Sequence, residues 1–377
     1  MSVAAIVFSN LHDQYVPELT SLRTMASVPF GGRYRLIDFT LSNLVNSGIN
    51  DIRVVTYYNY QSLMDHIGSG KDWDLARTHG GVKIIPPYMN AFANNGKVPY
   101  SSRLEALKSI SNTIYNLTCD YVVLSDSDII CNVDIAEMVK QHQQTGADLT
   151  VAVKRFHVDP SFSRRAVLIG SDENGRMTDA LAHPEEVEGD FDVNINILVF
   201  SRSYLQGIVR EAIARGYTSL TKDVLARNAV YNDFRVYRYE GYYGRIDSLM
   251  EYYARSMELI SDPEARDSLF RQKDRPIYTK VKNSPPTKYI PGSKVENSLI
   301  ADGCVIEGTV ENCILFRGVH VGKNTFVKDS IIFQDTIIGD NVFLNCVITD
   351  KNVVIRDARM LSGHKSMPFF IEKSKMI

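Results

Sequence analysis

The chain has 377 residues, 44% of them hydrophobic, with 42 Lys and Arg residues against 44 Asp and Glu residues. This length predicts two or three domains, and the near-neutral charge argues against bulk binding to nucleic acid or a membrane. The sequence has no run of 18 apolar residues and no basic leader, so neither a membrane span nor a signal peptide is expected. Its five scattered cysteines lack metal-binding spacing and favour reduced thiols in a cytoplasmic protein.

The first two thirds of the chain alternate short apolar runs with helical patterns. VAAIVF predicts a buried first strand, and Asn174-Gly175 predicts the turn of a hairpin. Further strands are predicted at 51–57, 82–87, 121–128, 147–156 and 194–200, with helices around 36–47, 61–67, 102–116, 133–145, 203–215 and 247–260. Strands separated by helices indicate βαβ units and a mostly parallel sheet.

The last third of the chain has a different pattern. Residues 282–291 are proline-rich and predict a break, and aliphatic residues then recur six apart, as in Val321 and Val327. This period predicts a parallel β-helix of hexapeptide repeats. An antiparallel sandwich is the less favoured alternative, because the strands of a sandwich recur about every 8–12 residues. We expect an α/β domain over 1–260, a linker over 261–291 and a β-helix over 292–377.

Two segments carry a family resemblance. The stretches VPFGGRYRLIDFTLSNLVNSGI (28–49) and TDKNVVI (349–355) resemble the ADP-glucose pyrophosphorylase (glucose-1-phosphate adenylyltransferase) family, and the similarity covers nearly the whole chain. The resemblance implies a Rossmann-like, GT-A-like nucleotidyltransferase domain followed by a left-handed β-helix. Catalytic members join ATP and glucose 1-phosphate into ADP-glucose and release pyrophosphate, for glycogen or starch synthesis.

Several positions that the resemblance assigns to phosphate binding carry other residue types. Catalytic relatives have a GGxGTRL-type turn after the first strand, whose glycines let the backbone approach phosphates. This chain has SNLHDQY at 9–15, with Gln14 at the arginine position. Met25 stands at a family lysine, and His183 stands at the lysine that grips glucose 1-phosphate. We expect weak phosphate binding; an alternative role for Asn10 and His12 as phosphate ligands stays open.

The metal-binding positions are also altered. Asp128, in LSDSDII, matches one family Mg²⁺ ligand, whereas Arg245 stands at the position of the second carboxylate. An arginine repels Mg²⁺, so we expect Arg245 to pair with Asp128 and Asp128 to be a vestigial ligand; a solvent-exposed Arg245 is the alternative. The GTADA-type substrate loop is replaced by SSRLEA at 101–106, without its glycine.

These losses predict a catalytically degenerate scaffold. The sequence is similar to the non-catalytic, regulatory type of bacterial ADP-glucose pyrophosphorylase subunit, which implies a heterotetramer with catalytic partner subunits. We expect no cofactor for this chain and Mg²⁺ in the partner. Arg23, Arg33 and Arg35 are candidates for binding a small anionic effector, although each is equally explained as a surface or ion-pair arginine. Two alternatives remain: an active adenylyltransferase with a rebuilt phosphate loop, and a stand-alone sugar-phosphate sensor. A hexapeptide acyltransferase using His320 is less favoured.

Overall fold

The structure is a computed structural model in which residues 2–86 and 100–377 are described. The chain forms two compact units that are interleaved along the sequence. The first unit comprises Met1–Leu11, Thr40–Tyr60 and Gly68–Tyr243, and the second comprises His12–Phe39, Gln61–Ile67 and Gly244–Ile377. The division into 1–260, 261–291 and 292–377 stays a prediction. The helix Pro263–Phe270 and the strand Lys288–Tyr289 both lie within the predicted linker.

The first unit is built on a nine-stranded sheet within the described residues. The strand Val3–Phe8 pairs in parallel with both Asp51–Val55 and Tyr121–Asp126. Its side chains from Ala4 to Phe8 are buried, as expected for an apolar strand covered on both faces. The other six strands of the sheet are Gly81–Ile85, Leu149–Val158, Val167–Ser171, Met177–Ala182, Gly189–Ser201 and Phe234–Arg238. The predicted α/β architecture is confirmed.

Helices flank this sheet. They are Arg103–Ser109, Ser111–Tyr115, Ile135–Thr145, Pro160–Ser163, Arg202–Arg215 and the π-helix Leu220–Ala226. The first unit also contains a 3₁₀ turn at Lys71–Trp73 and a short strand at Ile129–Cys131. The helix predicted over 102–116 is two helices, because the backbone of Ile110 leaves the helical region. The helix Leu36–Asn46 contributes to both units.

The carboxyl ends of the central parallel strands lie at one edge of the sheet. Phe8, Val55 and Asp126 occupy the same level, because Phe8 is opposite both of the others in the strand register. Loops that follow these strands therefore meet at this edge, which is where ligands bind in open α/β sheets. The segments beginning at Ser9 and Ser127 both start here.

The second unit contains the predicted β-helix. Three parallel sheets of five strands each run through it, and Val321, Val327 and Ile332 point into a fully buried aliphatic core. The strands are Lys288–Tyr289, Lys294–Glu296, Leu299–Ile300, Val305–Ile306, Thr309–Glu311, Ile314–Leu315, His320–Val321, Phe326–Lys328, Ile331–Ile332, Ile337–Ile338, Phe343–Asn345, Val347–Thr349, Val354–Ile355, Met360–Ser362 and Phe369–Ile371. The left-handed β-helix of hexapeptide repeats is confirmed.

Asparagine side chains stack along the turns of this β-helix. Asn324 and Asn341 both adopt left-handed backbone conformations, with φ of 54° and 57°. The Nδ2 of Asn324 donates to the Oδ1 of Asn341 at 3.4 Å, so the turns of neighbouring coils are linked. Asparagine tolerates this conformation better than most residues with a Cβ, which explains why it punctuates the repeat.

The second unit also includes segments from the first third of the chain. Its remaining elements are the 3₁₀ turns Asp13–Tyr15 and Met25–Ser27, the helices Pro17–Thr20, Gln61–Ile67, Leu249–Ser261 and Pro263–Phe270, and the strands Pro29–Phe30 and Tyr34–Arg35. A short strand, Tyr243–Arg245, lies where the two units join in sequence. All five cysteines are buried and free. Among the described residues, no helix is both long enough and apolar enough to cross a membrane.

Candidate functional site

The loop after the first strand begins with residues whose side chains form hydrogen bonds to the backbone of the neighbouring strand and the loop that follows it. The Oγ of Ser9 donates to the carbonyl of Val55 at 2.9 Å. The Asn10 side chain donates to the carbonyl of Tyr57 at 3.0 Å and accepts from the Tyr57 N–H at 3.2 Å. The Leu11 side chain packs against the hydrophobic core of the first unit. The amide of Asn10 is therefore held by backbone groups, which weakens the alternative that it binds phosphate.

The rest of this loop, in the second unit, is fixed in a similar way. The carboxylate of Asp13 accepts a hydrogen bond from the N–H of Met25 at 2.7 Å. The rings of His12 and Tyr15 stack with their centroids 5.4 Å apart, and Gln14 is exposed. Among the described residues 9–15 none has a positive φ. The turn thus lacks the left-handed backbone conformations of a phosphate cradle, and the side chains of Asn10 and Asp13 are already engaged by backbone groups.

Met25 is a core residue. Its side chain is only 1% exposed, within a 3₁₀ turn of the second unit. A lysine in this conformation would bury its charged ammonium group, which is strongly unfavourable without a partner. The packing around residue 25 therefore favours an uncharged side chain, in agreement with the absence of the family lysine at this position.

His183 lies on an exposed turn after the strand Met177–Ala182. Its φ is 55°, and its N–H donates to the carbonyl of Ala166 at 2.9 Å. The backbone bond fixes the turn that continues into Pro184, whose carbonyl accepts from the Oγ of Ser163 at 2.9 Å. The residue at the expected sugar-phosphate position is thus an exposed histidine on a turn held in place by hydrogen bonds to its backbone groups.

Two buried carboxylates mark the sheet edge. Asp126 ends its strand and Asp128 follows it, and the two residues are 1% and 2% exposed. The guanidinium of Arg103 binds both oxygens of Asp126, with Nε 2.9 Å from Oδ1 and Nη2 against Oδ2. Burial lowers the pKa of Arg103, but the charges of Asp126 and Asp128 outweigh burial and raise it. Arg103 is therefore a permanent cation at this edge.

Arg103 and Asp126 were not among the site residues predicted from the sequence. Arg103 lies in the SSRLEA segment that replaces the substrate loop, and only the fold brings it to the end of the strand Tyr121–Asp126. The predicted partner of Asp128 was Arg245, which is half-buried at the end of the strand Tyr243–Arg245. The pairing of Arg245 with Asp128 stays a prediction.

The three effector candidates have different environments. Arg23 is 2% exposed, and its Nη2 lies 2.7 and 2.8 Å from the two oxygens of Asp350. Arg35 is half-buried and donates through Nη1 to the Ser62 carbonyl and hydroxyl. Arg33 is exposed, with its guanidinium 5.6 Å from the centre of the Tyr34 ring. Arg23 thus matches the structural ion-pair interpretation, and only Arg33 and Arg35 keep solvent access.

Further cations gather around Arg35 in the second unit. Partial burial, together with the charges of Arg35 and Arg23, lowers the pKa of Lys351 to about 7. Burial and the charges of Arg317 and Arg35 lower the pKa of Lys282. We call Arg35, Lys282 and Lys351 the cationic cluster. Its two lysines were not predicted, because no local sequence pattern relates residues 282 and 351 to Arg35.

Comparison with known proteins gives the family. A family model described as nucleotidyl transferase matches residues 16–232, and one described as GlmU-like, C-terminal hexapeptide matches residues 285–365. The chain is 37% identical over 371 residues to the glycogen biosynthesis protein GlgD of Bacillus subtilis, covering 98% of this chain and 95% of that protein. The chain belongs to the nucleotidyl transferase family that contains GlgD and the glucose-1-phosphate adenylyltransferases.

Two adenylyltransferases are also similar to this chain. It is 32% identical to the glucose-1-phosphate adenylyltransferase of Clostridium acetobutylicum and 33% identical to that of Geobacillus stearothermophilus. Each match covers 82% of this chain, and 80% and 79% of the respective relatives.

Membership of the nucleotidyl transferase family raises the question of Mg²⁺. This ion needs hard oxygen ligands, usually one or two carboxylates together with phosphate oxygens. In the first unit the carboxylate of Asp126 is bound at both oxygens by Arg103, which also acts electrostatically on Asp128. A divalent cation beside this guanidinium would be repelled. A carboxylate oxygen of Asp126 and one of Asp128 lie within 4.8 Å of each other, close enough to share a cation, but Arg103 already binds both oxygens of Asp126. While this ion pair is intact, the described residues of the first unit do not fit a Mg²⁺ ion at this edge.

Proposed function

We propose that this chain is a regulatory, catalytically degenerate subunit of an ADP-glucose pyrophosphorylase acting in cytoplasmic glycogen biosynthesis. A catalytic partner subunit, which holds Mg²⁺, converts ATP and glucose 1-phosphate into ADP-glucose and pyrophosphate. This chain assembles with that partner in a hetero-oligomer and raises its activity or changes its response to effectors. The similarity to GlgD over nearly the full length of both proteins supports the glycogen role.

The observation that carries this proposal is the packing of the loop after the first strand. Catalysis of nucleotidyl transfer depends on donors and cations aimed at the phosphates. Here Asn10 is held by the Tyr57 backbone, Asp13 is held by the Met25 N–H, and Leu11 fills core space. Losing a single such group costs about 10²–10³ in rate, so the loss of several should leave little activity.

The direct test compares the chain alone, the catalytic partner alone and the two expressed together. Pyrophosphate release is measured per catalytic subunit with saturating ATP, glucose 1-phosphate and Mg²⁺. We expect near-silence from the lone chain and stimulation in the mixture. Robust turnover by the lone chain would instead establish the active adenylyltransferase with a rebuilt loop.

The sensor alternative makes a different prediction. A stand-alone sugar-phosphate sensor would elute alone on size exclusion after co-expression with the adenylyltransferase subunit, and it would leave that subunit's turnover unchanged. A stable complex with altered turnover excludes this alternative. The co-expressed preparation used for the direct test serves for this comparison as well.

We further propose that the cationic cluster binds the small anionic effector. Arg35, Lys282 and Lys351 bring positive charge together, whereas the nearby Asp350 is already paired with Arg23. The lowered pKa of Lys351 reflects its partial burial first and then this excess of positive charge. A phosphate group beside these side chains would relieve their repulsion and accept their hydrogen bonds.

The effector proposal is tested by thermal shift at low salt. Inorganic phosphate and glucose 1,6-bisphosphate serve as probes, because they differ in the number of phosphates that one molecule offers. Lys351→Met should abolish most of the anion-induced rise in Tm, whereas Lys373→Met, at an exposed lysine near the carboxyl terminus, should leave it unchanged. An equal rise in both variants would refute the assignment.

A further inference from the structure

Arg103 is held in a defined position by the start of its helix. Ser102 precedes the helix Arg103–Ser109, and its Oγ accepts from the N–H of Glu105 at 3.2 Å. The Glu105 carboxylate in turn accepts from the N–H and the hydroxyl of Ser101, both at 2.8 Å. These reciprocal bonds resemble a capping box and fix the backbone from which the Arg103 side chain extends.

The carboxylate that Arg103 meets is also held firmly. Asp126 is the last residue of a central strand, and its carbonyl accepts from the Oγ1 of Thr40 at 3.0 Å. Next to it, the Oγ of Ser127 donates to the carbonyl of Phe8 at 2.9 Å. An almost fully buried carboxylate needs a charged partner, and a two-point guanidinium bond is the strongest that a side chain offers.

We propose that Arg103 is a resident cation that replaces a divalent metal at this edge, neutralising Asp126 and Asp128 and keeping Mg²⁺ out. The fold brings a permanent positive charge to the acidic strand end at which the family would place a metal ligand. This proposal goes beyond the loss of phosphate-binding groups, because it assigns a specific function to Arg103, which lies in the segment that replaces the substrate loop. It also makes the first unit independent of metal supply.

The proposal is tested on the chain alone, without the catalytic partner, so its outcome is independent of any stimulation. Mn²⁺ is the probe, and free Mn²⁺ is measured by electron paramagnetic resonance during a titration. Wild-type protein should not deplete free Mn²⁺ and should have the same Tm with Mn²⁺ as with a chelator. Arg103→Gln removes the charge but keeps a polar side chain with hydrogen-bond donors, and it should raise Mn²⁺ affinity by at least about tenfold.

Matched variants separate the electrostatic role from a loss of folding. Arg103→Lys keeps the positive charge but not the two-point bond, so it should lower Tm and still exclude Mn²⁺. Arg215→Gln changes an exposed arginine that pairs with Glu211 on a helix surface, and it should behave as wild type. In Arg103→Gln/Asp126→Asn both charges of the pair are removed, so the gained Mn²⁺ affinity should be lost.

Two results would overturn the proposal. One is tight Mn²⁺ binding by the wild-type chain. The other is Mn²⁺ binding by Arg103→Lys that equals the binding by Arg103→Gln. The wild-type titration needs no substitution, so the proposal stays testable even where Arg103→Gln fails to fold.

Discussion

Arg23 and Asp350 form a two-point ion pair that is almost completely buried, although 327 positions separate them in the sequence. The arginine follows the helix Pro17–Thr20, and the aspartate follows a strand of the β-helix. The pair joins the amino-terminal segment of the second unit to its β-helix. A bond of this kind explains why residues 12–39 belong to the same compact unit as the carboxyl-terminal third.

Breaking this pair from one side should be costly. Arg23→Met leaves the Asp350 carboxylate buried without its partner and should destabilise the second unit by about 3–5 kcal/mol. The double variant Arg23→Met/Asp350→Leu removes both charges and should recover most of that loss. Urea unfolding followed by tyrosine fluorescence measures both values. A double variant as unstable as Arg23→Met would show that the pair itself, and not the uncompensated charge, stabilises the unit.

The stability of the chain should depend on pH through Lys351. Its pKa is about 7 in the folded protein against 10.5 for the free side chain, so the unfolded chain binds more protons between these values. Stability contributed at this position therefore rises as pH increases from about 7 to about 10. Lys351→Met should be more stable than wild type at about pH 6, and the difference should shrink towards about pH 10.

The same lysine should make anion binding pH-dependent. An anion favours the charged form of Lys351, so binding is coupled to proton uptake and should strengthen as pH falls from about 9 to about 7, above the second ionisation of the phosphate groups near about 6. Arg35, Arg23, Asp350 and Lys282 also act electrostatically on Lys351. Calorimetric titration with glucose 1,6-bisphosphate at several pH values measures the affinity, and a flat profile would contradict the prediction.

Restoring the family lysine at Met25 should not restore activity. Met25→Lys places a charge in a site that is 1% exposed, so it should cost several kcal/mol of stability, because burial removes the hydration of the charged ammonium group. Met25→Leu is the matched control and should cost less than about 1.5 kcal/mol. Denaturant unfolding measures stability, and pyrophosphate release measures turnover. A gain of turnover in Met25→Lys would favour the rebuilt-loop alternative.

The asparagine turns of the β-helix give a local prediction. Asn341 is exposed with a φ of 57°, so Asn341→Ala should cost about 1 kcal/mol, and Asn341→Gly should cost less because glycine adopts this conformation freely. Thermal unfolding of the two variants measures the difference. Equal losses would indicate that the Asn324–Asn341 hydrogen bond, and not the backbone conformation, is what matters.

Much of the fold follows from local sequence signals. The apolar run Val3–Phe8 predicted the central strand, and the six-residue period predicted the β-helix coils that contain Val321 and Val327. The predicted hairpin is also present, since Val167–Ser171 and Met177–Ala182 pair antiparallel around Gly175. These signals depend on side-chain alternation and turn chemistry, which act over a few residues.

The interactions of the candidate site were less predictable. The loss of glycine at residues 9–15 was visible in the sequence, and so was the carboxylate of Asp128. The partner of Asp126 was not, because Arg103 lies 23 positions earlier and reaches it only through the sheet topology. The proximity of Lys351 to Arg35 was also not predictable, because no local sequence pattern relates these two residues. Charge pairing across the fold depends on tertiary structure that single-sequence patterns do not contain.

The interleaving of the two units limits how such a gene can change by recombination. An exchange of only the hexapeptide region between two related genes would supply Asp350 from one parent and Arg23 from the other. The hydroxyl of Tyr253 donates to the backbone carbonyl of Asp329 at 2.6 Å, so this second contact depends on the tyrosine and not on the side chain at 329. Chimeras are therefore expected to be stable where the combined chain keeps both Arg23 and Asp350, so the two regions should be inherited together.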